Sequence, residues 1–149
     1  MTSPILQKAA LLGCLTFNVL PAFADPAAVF TDACGACHGA AGEGIPGFAP
    51  KLDRPAFWQA MGDDAPRYLG GVIVSGLAGR IVADGGQTFV GVSMPNQAYL
   101  DDEEITMIAD HILSSFADSD QTLSADTLAA LRADPPSHAD LLAMRQSEE

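Results

Sequence analysis

Positive charge is scarce in this sequence. Seven Lys and Arg stand against 19 Asp and Glu, for a formal net charge of −12 over 149 residues. Nucleic-acid binding draws on clustered Lys and Arg, and the chain has no such reserve. Cysteine is scarcer still, with three in the whole chain. A structural zinc site needs about four Cys or His ligands, so that class has little to build on. Also missing is an apolar stretch of the ~20 residues that a membrane-spanning helix requires. The length fits one small domain with extensions.

The nearest thing to a hydrophobic run, Ala9 to Leu20, has the setting of a secretory signal peptide. Lys8 supplies a positive charge before it. Pro21-Ala22-Phe23-Ala24 follows it, and Ala22-Phe23-Ala24 is a small-x-small cleavage site. Residues 1–24 are therefore read as a signal peptide cut after Ala24. Leu11-Leu12-Gly13-Cys14 has a lipobox-like form. Leu12 is bulky for its position, however, and the run continues past Cys14, so cleavage is preferred to a lipid anchor. Residues 25–117 form the expected domain and 118–149 an acidic C-terminal extension. The leader carries Lys8 and no acid, so its loss deepens the acidic excess. Such a surface suits steering toward a basic docking patch on a partner protein; it also simply keeps a soluble protein dispersed.

The two remaining cysteines lie in Cys34-Gly35-Ala36-Cys37-His38. C-x-x-C-H is the attachment signature of c-type haem. Cysteines at i and i+3 near a helical turn share a side, where both thiols reach the two vinyl groups of one haem. The next residue, His38, can turn its ring to the iron as proximal ligand. Three alternatives are weaker. Zinc finds only His111 and His138 beyond the motif, both far along the chain. A thioredoxin-like pair expects a βαβ pattern that is absent here. A plain Cys34–Cys37 disulfide leaves His38 unexplained.

A sixth iron ligand is sought among Met61, Met94, Met107, Met144, His111 and His138. Met94 stands out, in the irregular Gly91-Val92-Ser93-Met94-Pro95-Asn96 stretch before a well-signalled helix. Pro95 stiffens that stretch and favours an extended Met94. Met61 is the runner-up. Met107 lies off its helix's apolar face.

The surrounding pattern is helical. Residues 26–37 hold Ala27, Ala28, Phe30 and Ala33, with Pro26 tolerated in a first turn. Residues 39–50 form a Gly/Pro-rich loop, one of whose backbone carbonyls is expected to accept the His38 ring N–H. Pro50 and Leu52 are expected as apolar wall. Short helices are expected over 55–61 and 65–76, the second capped by Asp64. Residues 80–83 and 87–90 suggest a hairpin around Asp84-Gly85-Gly86. The clearest helix is 101–116: Asp101 and Glu104 make a capping box, and Ile105, Ile108, Ala109, Ile112, Leu113 and Phe116 form one apolar stripe. His111 sits at the edge of that stripe, as a packing residue. In the extension, Ser124 can cap a helix bearing Leu128 and Leu131. Ser137 and Asp140 resemble a second capping box, before Leu141, Leu142 and Met144. The favoured reading is a clasp folded back on the domain, with partner docking and a solvated tail as the alternatives. Arg54, Trp58, Arg67 and Arg80 are candidate partners for the haem carboxylates.

Taken in order over residues 26–116, these features resemble a class I c-type cytochrome of the small bacterial periplasmic kind. The resemblance implies an all-α fold of short helices wrapped around one haem, with a small hairpin before the Met loop. It implies one covalent haem c held by Cys34, Cys37, His38 and Met94, with His38 and Met94 on the iron. Two features depart from the family pattern. His111 stands where the last helix often carries an aromatic, and the chain runs past Phe116 further than the minimal domain needs. The expected role is a periplasmic one-electron carrier rather than an enzyme, exchanging electrons with a donor and an acceptor protein. It would be a monomer or a subunit of a redox complex, with no stable membrane insertion after cleavage. The alternative is a dedicated subunit or docking module of a larger periplasmic oxidoreductase, and a haem enzyme or sensor with an open sixth position comes third.

Overall fold

The computed structural model describes residues 24–83 and 86–146. The signal-peptide reading falls almost wholly outside that range, as do Cys14 and the hairpin residues Asp84 and Gly85. Among these residues six helices dominate: α1 (Pro26–His38), α2 (Pro55–Met61), α3 (Ala65–Ser75), α4 (Asp102–Phe116), α5 (Ala125–Ala133) and α6 (His138–Gln146). Between α3 and α4 lie four short strands: β1 (Leu77–Ala78), β2 (Ile81–Ala83), β3 (Gln87–Phe89) and β4 (Ser93–Met94).

The helix ends follow local chemistry. Asp25 caps α1, its carboxylate accepting from Ala27 N at 3.1 Å, with Pro26 in the first turn. At α4 the expected box is complete: Asp101 accepts from Glu104 N at 2.8 Å, and Glu104 accepts from Asp101 N at 2.9 Å. Such a cap is worth about 1 kcal/mol. Asp64 corrects the expectation. It makes no capping bond, because Gly62–Asp64 is a 3₁₀ turn that runs α2 into α3 with hardly a break. The chain is already helical at Asp64, so its side chain has no free N-terminus to cap.

Helices α1 and α4 pack together through Phe30, which is fully buried. Its ring centre lies 5.3 Å from those of His111 and Phe116. His111 thus occupies an aromatic position with an imidazole, as a packing residue. Helix α3 is buried along its whole middle, from Tyr68 to Val74. It meets α4 on one side and α5 and α6 on others, which is how a helix apolar all round is accommodated.

The sheets are minimal. β2 and β3 pair antiparallel, Ile81 with Phe89, as the hairpin pattern indicated. β1 and β4 also pair, Leu77 opposite Met94, which the sequence pattern did not indicate. Within the otherwise irregular Gly91–Asn96 stretch, Ser93 and Met94 are therefore held as strand. Those two residues were too short a run to register as a strand.

The extension folds back on the domain. Ser124 caps α5 by accepting from Thr127 N, and Leu123, Leu128, Leu131 and Leu141 are buried. Ser137 and Asp140 exchange hydrogen bonds at the start of α6. Arg132 ties α5 to the start of α4, donating to Asp102 and to the Ala98 and Leu100 carbonyls. Gly70 and Gly71 explain the close fit. A Cβ on Gly70 would meet Leu131 at 2.9 Å, and one on Gly71 would meet Leu141 and Pro136 at 3.0 Å. Each glycine costs a helix interior about 1 kcal/mol against alanine, a cost offset here by burial of the extension's leucines.

Candidate functional site

A cavity of about 340 Å³ opens between α1, the loop after it, α3, the strands and α4. That volume is within the range of ordinary cofactor sites, ~300–1,000 Å³. Cys34, Cys37, His38 and Met94 all line it. So do Pro50 and Leu52, the expected wall residues.

The cysteine side is built by the end of α1. Cys34 and Cys37 are one helical turn apart, half-buried and not joined to each other. Burial, with Cys37 beside it, pushes the Cys34 thiol up to about 11. His38 is the last helical residue, and it is 8% exposed. The following loop then folds under it. Gly44 N donates to His38 O at 2.8 Å, Leu52 N donates to Gly42 O at 2.8 Å, and Ile45 bridges Ala49. This turn brings the Pro50 carbonyl to 3.0 Å from His38 Nδ1. The carbonyl can only accept, so Nδ1 carries the proton and Nε2 presents a lone pair. Burial pushes the His38 imidazole below its usual value, opposed by the Pro50 hydrogen bond. A neutral imidazole is the form that binds a metal.

Met94 is brought to the cavity by β4. Met94 is half-buried and paired with Leu77. Gly76 ends α3, and Gln97 N donates to Ile73 O at 2.8 Å, so the strand is pinned against the end of α3. Among the described residues the other methionines are elsewhere: Met61 is buried in the core, and neither it nor Met107 or Met144 lines the cavity. His111 is taken up by Phe30 and Phe116, and His138 Nε2 lies 3.2 Å from Ser75 O.

The candidate carboxylate partners divide. Arg54 lines the cavity, its guanidinium carbon 4.1 Å from the centre of the Phe57 ring. Trp58 also lines it, but its one N–H is donated to Leu52 O at 2.7 Å. That N–H is thus engaged by the loop after α1. Arg67 and Arg80 are exposed and outside the cavity wall. Sequence reasoning missed Arg145, a buried cavity-wall residue from α6. No local signal marks it, since its burial depends on where the extension docks.

The donor set fits a c-type haem. Two thiols and a neutral imidazole come from α1 and a thioether from β4, guanidinium groups line part of the cavity, and Leu69, Val72, Ile108 and Ile112 add apolar surface to it.

The family model described as Cytochrome c matches residues 23–116. A cytochrome c-552 of Thermus thermophilus is 34% identical over 96 residues, covering 64% of this chain and 71% of that protein. A second cytochrome c-552, from a designated strain of the same species, is 34% identical over 96 residues, covering 64% of this chain and 63% of that protein. The family match ends at Phe116, so α5 and α6 lie beyond it.

Proposed function

The chain belongs to the cytochrome c family, whose members carry covalently bound haem c and use it in electron transfer, and on that premise we propose that it is a one-electron carrier between redox proteins in the periplasm, with His38 and Met94 as axial ligands. The observation that carries this reading is that Cys34, Cys37, His38 and Met94 all line one cavity. Cys34 and Cys37 would hold the haem covalently. The haem supplies a one-electron iron couple when bound.

The chain's own residues supply the rest. His38 keeps its proton on Nδ1, against Pro50 O, and offers Nε2. Such an outer hydrogen bond orients a ligating ring and raises its basicity. Met94 offers a neutral, soft thioether, which favours Fe(II) and raises the potential. His38 and Met94 would together hold the iron, and that would leave no open position on it for a small-molecule substrate. The apolar walls exclude water, which limits reorganisation on electron transfer.

Residues 1–24 fit a leader removed after Ala24, residues 25–117 the cytochrome domain, and 118–149 its extension. Among the described residues no helix is long and apolar enough to cross a membrane. The acidic surface suits a donor or acceptor with a basic docking patch. Leu128, Leu131 and Leu141 are spent on the chain's own core, so the extension does not offer them to a partner as the docking-module alternative would require.

Mixing the reduced holoprotein with carbon monoxide tests the assignment. The wild type should not bind it, and Met94→Ala should. Ready binding by the wild type would point to an open or weakly held sixth position, and the sensor and enzyme readings would return.

A further inference from the structure

Arg145 lies near the end of α6, outside the residues that match the family, and is 5% exposed. It forms part of the cavity wall. Its Nη1 donates to Tyr68 Oη at 2.9 Å, and its Nη2 donates to Val82 O at 3.3 Å. Those two contacts join α6 to α3 and β2. The guanidinium carbon lies 4.7 Å from the centre of the Phe57 ring, the same ring against which Arg54 packs at 4.1 Å. Two guanidinium groups are thus gathered at one ring beside an apolar cavity, in a protein that is strongly acidic overall.

Burying a cation is costly, and two cations in low dielectric repel each other. The arrangement is well suited to an anion that both can reach. A guanidinium carries five N–H donors in a fork that matches a carboxylate. The haem implied by the family brings two carboxylates into this cavity.

We propose that Arg145 binds a haem carboxylate, alongside Arg54, so that the C-terminal extension completes the cofactor site. This rests on the cavity holding haem c, as read above. The charge it contributes favours the reduced form of the iron, because reduction adds a negative charge nearby. The Tyr68 and Val82 contacts hold the guanidinium in place and leave the extension with two tasks, covering α3 and supplying a cation.

The test uses the holoprotein as wild type, Arg145→Gln and Arg145→Lys. Midpoint potential, the haem-carboxylate bending band in resonance Raman, the far-red ferric band and thermal unfolding are read on each. Arg145→Gln should keep the far-red band while its reduced-to-oxidised ratio at fixed potential falls by up to about tenfold, ~59 mV for one electron. Its carboxylate band should also move. Arg145→Lys should recover most of the redox ratio but not the band, since it keeps the charge and loses the fork. If both variants change only the unfolding temperature, with potential and carboxylate band as in wild type, Arg145 is a clasp residue and the proposal is wrong. Should Arg145→Gln fail to fold, an unchanged carboxylate band in Arg145→Lys overturns the proposal by itself. Met94 ligation is read separately, from the far-red band of the wild type, so the two assignments fail independently.

Discussion

His38 and Met94 line one cavity, but they are held there by different means. The His38 side is local. The motif, the loop beneath it and the accepting Pro50 carbonyl all lie within a short stretch of chain, closed by hydrogen bonds among residues 38–58. The Met94 side is assembled from distant parts. β4 is positioned by pairing with β1 and by the end of α3, and α6 in turn packs against β1. Local closure costs little loop entropy, whereas a non-local wall depends on the domain having folded. The Met94 side should therefore be the easier of the two to disturb without losing the protein.

The largest expected effect is on the local side. His38→Ala should cut the yield of correctly ligated holoprotein by roughly tenfold or more, since a ligand is lost rather than its support. Pyridine haemochrome absorbance per mole of purified protein measures it. A yield near wild type would mean that the cysteines alone secure the haem.

Two glycines sharpen the comparison. Gly44 sits in the loop under His38 and Gly76 beside Met94, with φ of 67° and 74°. A Cβ on Gly44 would lie 2.6 Å from Ala49 O, and one on Gly76 would lie 2.6 Å from Met94 O. Alanine at either should destabilise by about 1–3 kcal/mol, from left-handed backbone and contact together. Their spectra should separate them. Gly76→Ala should weaken the sulfur-to-iron band in the folded protein, and Gly44→Ala should leave it in place up to the unfolding transition. Equal behaviour of the two would erase the distinction between the sides.

Trp58→Phe should cost about 1–2 kcal/mol by removing the indole donor from Leu52 O. Denaturant unfolding checks this, with the far-red band unaffected. A smaller effect belongs to the extension. Hydrogen bonds from Ser137 hold the Asp140 carboxyl below its ordinary value of 3.8. A carboxylate lowered in the folded state stabilises above its unfolded value and loses that contribution as pH falls through the folded value. Asp140→Asn should therefore lower the melting temperature slightly at pH 7 and not at pH 2. A difference that persists at pH 2 would mean that the side chain acts by packing.

The same division decides what was legible in the sequence. Cys34, Cys37 and His38 announce themselves by spacing, and the Asp101–Glu104 box and the Ile105–Phe116 stripe mark α4 without tertiary help. Met94 was found by its neighbours, Gly91 and Pro95, and by the helix that follows. Its pairing with Leu77 was not found, because a two-residue strand has no period to detect. Which carbonyl meets His38 was also hidden, since it depends on how the Gly-rich loop turns. The role of Gly70 and Gly71 shows only when the leucines of α5 and α6 are seen against them. Arg145 is the extreme case: an arginine near the end of a short helix looks solvent-facing, and only the docking of α6 buries it.

The ferric spectrum in the far red, recorded on holoprotein beside Met94→Ala, tests the central claim most directly. The account predicts a weak sulfur-to-iron charge-transfer band in the wild type that disappears in the variant. No band in the wild type, or a band that survives the substitution, would contradict Met94 as the sixth ligand.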